Sequence, residues 1–119
     1  MKKDEYQKKY SLLKRKIEKI GFICTGSVMS VFKTCGNSNC ICHKDKKARH
    51  GPYNIWTRKV KSKTVTRTLT NEQAKLCRKC IQNMREVEII LQAMRDLSVH
   101  RIENYENDII AAVENRGKV

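Results

Sequence analysis

Apolar residues at the start of the chain recur every three or four positions: Tyr6, Tyr10, Leu13, Ile17 and Ile20, with lysines on the other faces. That spacing lines them along one side of an α-helix, so a helix is expected from Asp4 to Ile20, stopped by Gly21. The pattern then changes. Phe22 to Phe32 is a short β-rich stretch interrupted by Gly26 and Ser27, with Val28 to Phe32 as its strand candidate. Thr34 to Gly51 has no periodicity and carries the turn formers Gly36, Asn37, Ser38 and Asn39, which predicts a loop. Beyond Pro52, the runs Tyr53 to Val60 and Thr64 to Leu69 are rich in β-branched and aromatic residues. Lys61, Ser62 and Lys63 join them, and the pair reads as a β-hairpin, although the glycine usual in such a turn is absent.

Thr70 with Gln73 three residues on is a capping-box pattern for a helix start. Leu76, Cys80, Met84, Val87, Leu91 and Met94 follow as an apolar stripe, and Ile102, Tyr105, Ile109 and Val113 continue it beyond an ambiguous patch at Ser98 to His100. Either one long helix with a shifted seam or two helices bent near Ser98 would satisfy this. The stripe needs cover. The first helix and the hairpin supply part of it, and the rest predicts a partner helix gripping residues 76–113, from a second copy of the chain or a larger protein, in coiled-coil fashion. The expected fold class is α+β. Its parts are a basic N-terminal helix (1–20), a loop and β-hairpin module or short antiparallel sheet (21–69), and a C-terminal amphipathic helix (70–119).

Charge is distributed along these segments unevenly. The chain has 119 residues and a formal net charge of +14. Residues 21–69 hold ten Lys/Arg against a single acid, Asp45, whereas residues 70–119 balance eight against eight. A basic field concentrated in this way suits a polyanion. The first helix has few bulky apolar residues to sink into a bilayer surface, so nucleic acid is favoured over a membrane. No apolar run reaches the ~18 residues of a membrane span, and no apolar segment of a secretory signal follows the charged N-terminus. A cytoplasmic location with reduced thiols is therefore expected. Six cysteines then point to metal rather than to disulfides.

Cys35, Cys40, Cys42 and His50 form the most specific pattern in the chain. Zinc takes Cys sulfur and His nitrogen in a tetrahedron, with sulfurs roughly 3.8 Å apart. The residues between Cys35 and Cys40 can turn the loop back on itself, and Cys40 and Cys42, two apart in an extended segment, would face the same side. His50 would tie the loop to the hairpin. His43 competes for the fourth position, but it adjoins Cys42 and neighbouring side chains point apart, which favours His50. Four protein ligands leave no place for a reacting water, so the expected cofactor is one structural Zn2+. The histidine and local spacing favour a single ion over an iron–sulfur cluster. Cys77 and Cys80 fall on the apolar side of a helix and read as core thiols, and Cys24 as a buried strand residue.

The signature Gly26-Ser27-Val28, Cys35-Gly36 through Cys40 and Cys42, then His50-Gly51-Pro52-Tyr53 and a hairpin, resembles a family of small bacterial proteins designated DUF6788. By that resemblance, Cys35, Cys40, Cys42 and His50 match the family's recurring Cys/His positions. Cys77 and Cys80 match no motif of it. The resemblance also implies a general likeness to accessory proteins of mobile elements.

The expected function is non-catalytic binding of DNA or RNA, with phosphates meeting Lys33, Lys44, Lys46, Lys47 and Arg49 around the loop. Arg58, Lys59, Lys61, Lys63 and Arg67 would do the same on the hairpin. The alternative is a protein-interaction adaptor working through the C-terminal helix, with the zinc purely structural. An enzyme is not expected, because no nucleophile–base order, phosphate-binding glycine loop or paired carboxylates occur in the basic segment.

Overall fold

The computed structural model describes residues 1–106. Its elements are α1 (Lys3–Glu18), β1 (Ser27–Lys33), β2 (His50–Val60), β3 (Lys63–Leu69) and α2 (Asn71–Glu103). Two 3-10 turns, Ile41–His43 and Lys46–Ala48, lie between β1 and β2. The strands form one antiparallel sheet in the order β1-β2-β3. The fold class is the expected α+β. The predicted stripe residues Ile109 and Val113 lie outside the described residues. No helix among the described residues is long and apolar enough to cross a membrane.

Residues 21–84 form one compact unit, the sheet with the first part of α2; among the described residues, 1–20 and 85–106 form another. In the sheet unit, directly paired residues of neighbouring strands share a face. The rows Val28–Trp56–Arg67 and Ser30–Asn54–Leu69 turn toward α2. There Leu69 joins Ala74, Cys77 and Ile81 in the buried core, with Cys24, Val28 and Trp56 packed against it. The predicted capping box forms reciprocally. The Gln73 amide donates to Thr70 Oγ1 at 3.1 Å, and the Thr70 amide donates to Gln73 Oε1 at 2.9 Å.

Three details differ from the expectations. Cys24 is not in a strand: residues 21–26 run without regular structure across α2. They are held by Asn83 Nδ2 donating to the Phe22 carbonyl (2.9 Å), the Cys24 amide to the Cys80 carbonyl (3.3 Å) and Trp56 Nε1 to the Thr25 carbonyl (2.9 Å). These bonds account for a buried asparagine in a helix. Second, β2 begins at His50, inside the predicted loop, because the β1–β2 register shifts between Val31 and Lys33 and makes room for Pro52, which has no amide to donate. Third, the hairpin turns on Lys61 (φ 49°) and Ser62 (φ 69°), two left-handed residues in the manner of a primed turn without glycine.

In the helical unit, Tyr6 of α1 is buried and its hydroxyl lies 2.7 Å from Nδ1 of His100 on α2. Tyr10, Leu13, Ile17 and Ile20 are half-buried on the same side of the chain's first twenty residues. The patch at Ser98 does not break α2. Ser98 Oγ donates to the Met94 carbonyl at 3.0 Å, so the hydroxyl is absorbed by the preceding turn.

Gly26 is the tightest joint of the sheet unit. Its φ is +104°, and a β-carbon there would collide with the Thr57 carbonyl oxygen and approach Trp56 Nε1 to 2.9 Å. Gly26→Ala is expected to destabilise the protein by at least about 2 kcal/mol. Urea unfolding followed by Trp56 fluorescence measures it, and an unchanged midpoint would contradict the packing described.

Candidate metal centre

Between Thr34 and Arg49 the single buried side chain is Cys42; even Ile41 is 64% exposed. No apolar core holds this stretch. Local hydrogen bonds shape it instead. Asn37 accepts the Cys40 amide on its carbonyl (3.1 Å) and the Asn39 amide on its side-chain oxygen (3.0 Å), which folds Cys40 back toward Cys35. Cys40 is extended (φ −71°, ψ 139°) and then caps the first 3-10 turn, so Cys42 is carried round by a turn. That corrects the extended Cys40–Cys42 segment expected from spacing. Asp45 caps the second turn through the Lys47 amide at 2.9 Å.

The outcome is a cluster. One donor atom from each of Cys35, Cys40, Cys42 and His50 lies within 4.8 Å of all the others. Cys42 Sγ is 3.6 Å from Cys35 Sγ, and Cys40 Sγ is 3.5 Å from His50 Nε2. These edges are close to the ~3.8 Å between sulfurs on a tetrahedral zinc ion. The four donors are therefore compatible with one metal ion. His43 is turned elsewhere, with its Nε2 2.9 Å from the Cys35 carbonyl oxygen. Between the two competing histidines, the geometry brings His50 to the sulfurs.

The electrostatics suit a cation. The backbone amide of Cys42 first, and then His50, lower the Cys40 thiol to about 6, so it is largely thiolate at neutral pH. Burial pushes the Cys42 thiol up, which favours its protonated form until a cation arrives. The other three cysteines lie elsewhere. Cys77 and Cys80 are buried in the core of the sheet unit beside Cys24, whose sulfur is 3.9 Å from that of Cys77. Burial raises both Cys24 and Cys80, as expected of unreactive core thiols.

Of the ten basic residues singled out in the sequence, Lys33, Lys44, Lys46, Lys47, Arg49, Lys59, Lys61, Lys63 and Arg67 are exposed. Arg58 is half-buried, its guanidinium 4.0 Å from the centre of the Trp56 ring, on the α2 side of the sheet. It serves packing first. Asn37, read from the sequence as one of four turn formers, is the one whose carbonyl and side chain close the loop. Its signal was present, because asparagine favours turns that its own side chain closes.

Cys40→Ser is expected to cut bound metal from one equivalent to below about 0.1, whereas His43→Ala retains it. Elemental analysis of the purified variants reads both. Metal loss on His43→Ala with retention on His50→Ala would reverse the assignment of the fourth ligand.

Comparison with curated proteins and with solved structures gives no match. A family model does match, over residues 3–79, a span that takes in α1, the whole sheet and all four donors and ends within α2. The chain thus belongs to the family described as a domain of unknown function, DUF6788.

Proposed function

We propose that the protein is a non-catalytic zinc-containing nucleic-acid-binding module, an accessory component of a nucleoprotein assembly. One observation carries this reading: a loop whose sole buried side chain is a metal donor presents Lys44, Lys46, Lys47 and Arg49 to solvent. Zinc is the ion that best suits three thiolates and an imidazole. Structural zinc contributes on the order of 10–16 kcal/mol of apparent binding energy, enough to order a loop with no core of its own. A loop ordered beforehand brings its cations to phosphates at little entropic cost. Asp45, the one acid of the loop sequence, removes a single charge and leaves the cations in excess.

A second reading is favoured by α2. Ile89 and Ile102 are 71% and 73% exposed on that helix, which suits a protein partner or a second copy. Both readings hold together in an accessory subunit that grips protein through α2 and nucleic acid through the loop.

Titration of the zinc-loaded protein against single- and double-stranded DNA and RNA at two salt concentrations tests the first reading. Binding is expected to weaken steeply with salt. The combined change Lys44→Glu, Lys46→Glu and Lys47→Glu is expected to lower affinity at least about 10-fold and to flatten the salt slope by ~0.9 per lost phosphate contact. Absence of binding at low salt would demote the lysines to solubilising charges. For the second reading, Ile89→Lys with Ile102→Lys is expected to abolish concentration-dependent mass in sedimentation. A wild-type chain that stays monomeric at every concentration would count against self-association.

A further inference from the structure

The two faces of the sheet are unlike. One is covered by α2 and the 21–26 segment. The other carries the rows Ser27–Thr57–Thr66 and Met29–Ile55–Thr68, read directly from the register. Ser27, Met29, Thr66 and Thr68 are exposed, and Thr57 is half-buried. Ile55 is buried at the centre of its row. On the same face, Lys59 donates to Thr64 Oγ1 at 2.9 Å. The face, which Val31 and Tyr53 extend, is thus rich in hydroxyl and methyl groups and free of acids in all three strands.

We propose that this face docks in the major groove of duplex DNA, an inference that rests on the nucleic-acid reading above. Size supports it first. Three strands at ~4.8 Å spacing set the outer two backbones about 10 Å apart, so with the strands along the B-form major groove, ~12 Å wide and ~8.5 Å deep, the middle strand faces the bases and the edge strands stand at the rims. The deep, narrow major groove of A-form RNA excludes such a surface. Chemistry supports it second. Hydroxyls of Thr57, Thr66 and Thr68 can donate or accept at base edges, and the Met29 and threonine methyls suit the thymine methyl group.

Charge placement is the third support. β2 runs eleven residues, from His50 to Val60, roughly 33 Å at ~3.3 Å per residue. At its start stands the metal loop with Lys44, Lys46, Lys47 and Arg49. At its far end stands the turn with Lys59, Lys61 and Lys63. An uncharged reading face lies between two cationic ends, and with the strands lying along the groove each end meets flanking phosphates at a different point of the duplex. In this arrangement the lysines position and the hydroxyl rows discriminate. The metal centre would set how the first cationic end meets its phosphates.

Adjacent residues of β3 supply the test: Arg67, expected from the sequence to meet phosphate, is paired with Trp56 and so lies on the α2 side, whereas Thr66 lies on the open face, and both are exposed. Thr66→Asp changes the net charge by one unit and Arg67→Asp by two. Were phosphate attraction alone at work, Arg67→Asp would bind more weakly. The groove proposal requires the reverse: about a 10-fold loss or more for Thr66→Asp on a 20-base-pair random-sequence duplex pool, and under about 3-fold for Arg67→Asp. Fluorescence anisotropy reads both, with circular dichroism and thermal melting confirming that each variant is folded. A second measurement on the wild-type chain covers the case in which Thr66→Asp unfolds. The major-groove dye methyl green is expected to compete with the protein, and the minor-groove ligand distamycin is not. If the wild type binds no nucleic acid, this proposal and the proposed function fall together. If it binds but Arg67→Asp is the more damaging change, or distamycin competes, or duplex RNA binds as tightly as DNA, the groove proposal is overturned and the proposed function stands.

Discussion

Sixteen residues from Thr34 to Arg49 have no apolar reason to fold, and the join between β1 and β2 depends on how they are closed. A loop this polar would ordinarily remain mobile, because no buried surface offsets the entropy of ordering it. Here four donor atoms converge within 4.8 Å, and the convergence joins the end of β1, both 3-10 turns and the first residue of β2. His50 is a donor and a strand residue at once. Closing the cluster therefore ties the loop directly to the first residue of β2.

Much of this was legible in the residues. The capping box at Thr70 and Gln73 depends only on contacts three residues apart, and it formed as written. The Cys/His spacing was likewise readable, because loop turn formers between ligands are a local property. So was the preference for His50 over His43, which adjoins Cys42 and is turned to the Cys35 carbonyl at 2.9 Å. The long-range choices were not. The irregular path of Cys24 depends on Asn83, nearly sixty residues away, reaching the carbonyl of Phe22. The hairpin turn also escaped, since lysine and serine at positive φ break the local preference that makes such turns recognisable.

The basic residues illustrate the same division. Counting charges along the chain located the cationic segment but assigned every member the same role. The fold separates them by strand parity. Arg58 lies against Trp56 on the covered side, and Lys59, the next residue, lies on the open side. A charge total says that a polyanion is welcome. Which cations are free to meet it is decided by the alternation of a β-strand, a two-residue period that composition cannot see.

The chain contains a single tryptophan, and its place in the fold makes it a built-in optical probe. Trp56 sits in the middle strand, with its indole nitrogen bonded to the Thr25 carbonyl and a guanidinium stacked on its ring. Loss of the sheet would free the indole from both neighbours and expose it to water. The helical unit contributes tyrosines but no indole, so light absorbed by indole and not by phenol would excite the sheet unit alone. The emission of an unlabelled sample therefore reports on the half of the protein that carries the donor cluster, undiluted by signal from the other half.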